Sequence, residues 1–148
     1  MLIVGALAKA TDNAKFDGPS TNIIANSYGA YLLPFAFIDK PTIASQVLLL
    51  SPLLGLTLVE KEMFYSRPPN QQPWSEALEQ GRMTKPRYLE VCAGELDSGA
   101  CSPTVVLEFS ELIKADQVQL IPEQGHQLDR SSVQAAIGEF LANNDSGN

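Results

Sequence analysis

The sequence predicts an α/β protein, a parallel sheet of about four strands flanked by helices, from three observations. Short runs rich in Val, Ile and Leu recur along the chain, at 22–26, 46–51, 88–92 and 117–121. Each is apolar enough for a strand buried on both faces, as helix-covered parallel sheets require. Between them lie segments of helical periodicity, and strands that alternate with helices imply crossover connections.

The elements follow in order. Leu2, Ile3, Ala6, Leu7 and Ala10 fall at helical spacing, so a helix is expected over Leu2–Lys15, and Asp17-Gly-Pro-Ser20 then breaks the chain. Asn22–Asn26 reads as the first strand. Tyr28–Ile38 reads as a helix apolar nearly all round, which Pro34 should kink because proline lacks the amide donor. Gln46–Ser51 is the second strand, stopped by Pro52. Leu53–Pro73 is irregular, and its Arg67-Pro-Pro-Asn-Gln-Gln-Pro73 segment is expected to be a loop. Trp74–Gln80 is a short helix and Tyr88–Cys92 the third strand. Thr104–Ile113 is a helix with Pro103 at its first position and Ser102 as its cap. Gln117–Ile121 is the fourth strand, Ser132–Asn143 the closing helix, and residues 144–148 a frayed tail. Without repeats or an internal linker, residues 1–148 read as one domain.

Composition narrows the function classes. Of 148 residues, 45% are hydrophobic and 18% charged, which suits a globular chain. The net charge of -7, with ten Lys and Arg scattered singly, argues against a nucleic-acid partner. No apolar run approaches the roughly 20 residues of a membrane span. Met1–Ala8 looks like the apolar part of a signal peptide, but it lacks a positive n-region and Lys9 follows it; a helix start and a cytoplasmic location are expected. Cys92 and Cys101 are too few for a disulfide framework. Their spacing, with one His in the chain, matches no metal motif, so no metal or cofactor is expected. Cys92 reads as a buried thiol and Cys101 as a loop thiol. A redox role is disfavoured, because Glu95 and Asp97 nearby would raise a thiol pKa.

In sheets of this kind the chemistry gathers beyond the carboxyl ends of the strands. After the first strand stands Ala25-Asn-Ser-Tyr-Gly29, small-x-Ser-x-small between a buried strand and a helix. That is the context of a nucleophile elbow, where Ala25 and Gly29 let strand and helix approach and the N–H of Tyr28 points toward a developing oxyanion. Ser27 equally fits a plain N-cap. After the third strand stands Gly94-Glu-Leu-Asp97, where a solvated turn carboxylate is the ordinary reading. After the fourth stands Gly125-His126, and a lone His is often incidental. The order Ser, Asp, His, each beyond a different parallel strand, is what links them. The imidazole of His126 would take the Ser27 proton, and Asp97 would fix its tautomer.

On these three motifs, with Val47-Leu-Leu-Leu-Ser-Pro52 between them, the sequence resembles the α/β-hydrolase superfamily. The resemblance spans nearly the whole chain but only the C-terminal half of that fold, strands five to eight. It implies Ser27 as nucleophile, Asp97 as acid, His126 as base and the Tyr28 N–H as one oxyanion donor. It favours Asp97 over the competing Glu95. The short interval between Ser27 and Asp97 leaves little room for a cap, so a small, nearly capless member is implied. The implied activity is cleavage of an ester, thioester or amide in a small-molecule acyl substrate, through an acyl-enzyme.

Ala25 stands where the family usually has Gly, and the family's first four strands have no counterpart. With them goes the loop that supplies the second oxyanion N–H, a donor worth about 10²–10³ in rate. The strand Asn22–Asn26 would then be an open apolar edge suited to pairing with a second copy. Three readings stay open: an N-terminally incomplete or mis-started hydrolase, which is favoured; a short protein that covers its edge with a second copy or a partner; or a non-catalytic interaction module. Phe64, Tyr65 and Trp74 are candidates for an acyl pocket, with core packing the plainer role.

Overall fold

The computed structural model of the chain describes residues 21–54, 72–98 and 101–145. The expected helix Leu2–Lys15 and the break before Thr21 lie outside the described residues, as do Phe64, Tyr65 and the side chain of Trp74.

Four strands, β1 (Asn22–Asn26), β2 (Gln46–Leu50), β3 (Tyr88–Gly94) and β4 (Gln117–Ile121), form one parallel sheet in the order β1-β2-β3-β4. Asn26 pairs with Leu50, Leu50 with Cys92, and Gly94 with Ile121, so all four carboxyl ends reach the same edge. The third strand runs two residues past its expected end, to Gly94. This extension keeps it level with the end of β4.

Side chains alternate between the two faces of a strand, and in the central strands β2 and β3 both faces are buried. Ile23, Ala25, Val47, Leu49, Leu89, Val91 and Ala93 meet Tyr31, Leu33 and Phe37 on one side of the sheet, together with Val106, Phe109 and Ile113. Leu48, Leu50 and Cys92 meet Ala136 and Phe140 on the other. Burial on both faces is why β2 reads as the unbroken apolar run Val47–Leu50.

The helices largely follow expectation, with corrections at their ends. Tyr28–Ile38 is two elements: α1 (Tyr28–Leu32) gives way to a 3-10 turn (Leu33–Phe37) with Pro34 in its first turn. The tighter turn accommodates a residue that cannot donate to the preceding α-helical carbonyl. The next helix, α2 (Gln72–Glu79), begins two residues before Trp74, so Gln72 and Pro73 leave the expected loop. Proline fits there because the first turn needs no internal donor. In α3 (Pro103–Ile113), Pro103 opens the helix as expected, but the Ser102 side chain makes no capping bond.

The last helix, α4 (Arg130–Asp145), starts two residues early and continues through two residues of the expected tail. Its cap is Asp129, whose Oδ1 accepts 2.7 Å hydrogen bonds from the Ser132 N–H and the Ser131 hydroxyl. These donors, the Ser132 amide first, hold the Asp129 carboxyl below its ordinary value. Cys101 is the other correction: expected as a loop thiol, it is buried. No helix among the described residues is long and apolar enough to cross a membrane.

Candidate active site

Each of the first three strands is followed by a residue whose amide extends the ladder one step past the strand. The N–H of Ser27 donates to Leu50 O (2.9 Å), that of Ser51 to Cys92 O (2.7 Å), and that of Glu95 to Ile121 O (2.9 Å). These bonds pin the first residue of three loops to the sheet edge. Two of the three pay in backbone strain: Ser27 has φ 50 and Ser51 φ 42, a region most L-residues avoid. At Ser27 ψ is -114, far from the left-handed helical well. Such a conformation costs on the order of 1–3 kcal/mol and persists only where the surroundings impose it.

The strain aims the side chain. Although Ser27 occupies the N-cap position of α1, its hydroxyl makes no capping bond. Instead Oγ lies 3.0 Å from His126 Nε2. On the far side of the ring, Nδ1 lies 3.1 Å from Asp97 Oδ2. The second Asp97 oxygen accepts a 2.7 Å bond from the Ser98 N–H. The Asp97 side chain is 5% exposed and that of His126 40%, so the carboxylate sits inside and the imidazole at the mouth. Glu95, the competing acid, is exposed to solvent. The structure therefore brings Ser27, Asp97 and His126 together from three loops. Ala25 is buried in the core behind the turn.

Two devices hold the loop that carries His126. The first is Gly94. A Cβ there would lie 2.7 Å from the Gln124 carbonyl carbon and closer still to the carbonyl oxygens of Gln124 and Gly125. Only glycine lets the end of β3 approach that loop, and the approach permits the 2.8 Å bond from the Leu96 N–H to Gln124 O. The second is the Gln124 side chain, which donates to Asp129 Oδ2 (2.7 Å) and Ser132 Oγ (2.8 Å) and accepts from the Asp129 N–H (2.8 Å). The loop is thereby tied to the start of α4. Neither device was read from the sequence, although Asp129 before Arg-Ser-Ser is a helix-start signal.

Cys101 was also missed. Its sulfur is 3.6 Å from Ser51 O and packs beside Asp97 and His126, near enough that ligand atoms of all three lie within 4.8 Å of one another. Burial, then the Asp97 charge and hydrogen bond, push this thiol up to about 12. Cys92, on the opposite face, is pushed up to about 11 by burial and by Glu90 and Glu139. Ser51 Oγ is buried and finds no hydrogen-bond partner among the described residues.

No protein-family model matches the sequence, and no curated protein does. Solved structures do match. Esterase PE8 superposes with a TM-score of 0.60 at 16% identity, over 92% of this chain and 56% of its own. Acetyl xylan esterase 1 from Thermoanaerobacterium sp. gives 0.60 at 17%, over 92% and 50%. MGS-MChE2, an alpha/beta hydrolase from a metagenome of lagoon sediments, gives 0.60 at 16%, over 94% and 68%. The chain has the α/β-hydrolase fold. It spans about half the length of the two esterases. At these identities the likeness is one of fold, and its parallel sheet with helices on both faces is the part of the hydrolase architecture that the resemblance in sequence implied.

Proposed function

We propose that this chain carries the nucleophile, base and acid of a serine hydrolase that cleaves an ester, thioester or amide through an acyl-enzyme on Ser27. The observation that carries the reading is the unbroken relay from Ser27 Oγ to His126 Nε2 and from Nδ1 to Asp97 Oδ2, at 3.0 and 3.1 Å, with Ser27 held at positive φ.

In this reading Nδ1 carries the imidazole proton and its N–H donates a hydrogen bond to Asp97 Oδ2, which leaves the Nε2 lone pair facing Ser27. Attack on the acyl carbon transfers the Ser27 proton to Nε2. The imidazolium that forms is stabilised by the Asp97 carboxylate, which is shielded from water and so acts at higher strength. The Tyr28 N–H, first in the helix after the turn, supplies one hydrogen bond to the tetrahedral oxyanion. Return of the proton to the leaving group completes acylation, and water repeats the sequence to release the acid. No step calls for a metal or organic cofactor.

A fluorophosphonate probe tests this directly, since it phosphonylates only an activated serine. The full chain should label at Ser27 and Ser27→Ala should not. A folded chain whose Ser27 stays unmodified refutes the proposal.

A further inference from the structure

We propose that Asp97, Cys101 and His126 form a binding site for a soft divalent cation, zinc foremost, and that a bound cation switches off the base. Binding stands on geometry alone; the switch rests on the serine-hydrolase reading.

The donor set is one carboxylate oxygen, one sulfur and one imidazole nitrogen, each within 4.8 Å of the other two. Zinc bonds of about 2.0–2.3 Å in tetrahedral geometry place ligand atoms roughly 3.3–3.5 Å apart. Asp97 Oδ2 and His126 Nδ1, at 3.1 Å, are already close to that spacing. The sulfur, within 4.8 Å of both, has at most about 1.3 Å to close to join them. Three protein ligands leave a fourth position for water. A thiolate among them selects zinc over magnesium or calcium, which prefer oxygen. Asp97 and Cys101 are buried while the His126 ring is partly exposed, so a cation reaches the site from the imidazole side.

Charge favours the exchange. Zn2+ with one carboxylate and one thiolate sums to neutrality, where the metal-free pocket holds an uncompensated carboxylate. The Cys101 S–H proton leaves to solvent as the S–Zn bond forms. The His126 proton is not lost: a metal on Nδ1 takes that lone pair, so the proton moves to Nε2. There it faces Ser27 Oγ at 3.0 Å and donates to it. An imidazole that donates to the serine cannot accept the serine proton, so acylation stops although Ser27 remains in place.

The tag-free full chain is titrated with Co2+, a spectroscopic stand-in for zinc that absorbs in the near ultraviolet when a thiolate binds it. One equivalent should produce the thiolate band, and Zn2+ should remove it. Cys101→Ser should abolish the band and Cys92→Ser should keep it. Absence of any band, or a band that survives Cys101→Ser, overturns the site. If Cys101→Ser does not fold by circular dichroism, calorimetric titration of His126→Ala decides. Loss of a ligand should weaken Co2+ binding by about tenfold or more, and unchanged binding overturns the site. Fluorophosphonate labelling in parallel reads the switch. Zinc should suppress labelling of the wild type, and labelling untouched by saturating zinc overturns the switch. A chain that never labels, even without metal, refutes the hydrolase reading and leaves the cobalt band to judge the site.

Discussion

Gly94→Ala is the perturbation that most directly tests how the site is held. The added methyl would sit 2.7 Å from the Gln124 carbonyl carbon, with two carbonyl oxygens nearer still. Carbon atoms rest at about 3.5 Å or more, so the His126 loop and the end of β3 must part by roughly 0.8 Å. Neither side is a flexible side chain: one is strand backbone and the other is loop backbone clamped by Gln124. Overpacking of this kind costs about 1–3 kcal/mol. The same movement, added to the 3.0 Å between Ser27 Oγ and His126 Nε2, carries that pair beyond hydrogen-bond range. A displacement near 1 Å at a reacting pair costs on the order of 10²-fold in rate. The assay is the second-order rate of fluorophosphonate labelling at Ser27, with urea unfolding measured alongside. Gly125→Ala is the control, because a Cβ there meets nothing within 4 Å. The reasoning is refuted if Gly94→Ala labels at the wild-type rate, or if both alanines slow labelling equally.

Three further outcomes are expected. Asp97→Asn should reduce labelling by about 10⁴-fold, since an amide no longer enforces the Nδ1–H tautomer, whereas Glu95→Gln should leave it unchanged; the reverse pattern would reassign the acid. The Glu90 carboxyl is fully buried, with Oε1 unpartnered, and burial holds it above its ordinary 4.5. The folded chain thus keeps the Glu90 proton at pH values where the unfolded chain has lost it. Its contribution to stability is fully present below about 4.5 and declines as pH rises toward the folded value. Glu90→Gln removes that decline, so its stability relative to wild type should rise from pH 5 to pH 8 in urea titrations; an equal difference at both pH values would contradict this. Phe140→Ala empties a fully buried position of α4 against Leu48, Leu50 and Cys92. It should cost about 3–5 kcal/mol in unfolding free energy, and a loss under 1 kcal/mol would show that the α4 face is not core.

The strands were legible because their middles are apolar: β2 is buried at every position and reads as an unbroken run at 47–50, and β1 keeps Ile23, Ile24 and Ala25 between two exposed asparagines. Helix ends were less so. Pro73 reads as a loop residue by composition but occupies the first turn of α2, where a proline is tolerated. Asp129 caps a helix that Ser132 was expected to begin, because either residue type can accept from the first-turn amides. At the sheet edge, the order of motifs named Ser27, Asp97 and His126 as residues worth bringing together. It was silent on the means.

The order of elements, the two-sided burial of the central strands and the strand ends where polar residues gather are properties of the sequence, since they follow from periodicity and local chemistry along the chain. Tertiary structure alone decided the rest. Whether Glu95 or Asp97 faces the imidazole depends on how one loop leaves β3, and the two differ by only two positions. That Gly94 must be glycine follows from a loop thirty residues away in the chain passing over it. Cys101, which by spacing belongs to no motif, meets Asp97 and His126 only because the start of α3 folds back beside the sheet edge. Each is a contact between distant segments, fixed by register and packing across the sheet and carried by no local pattern.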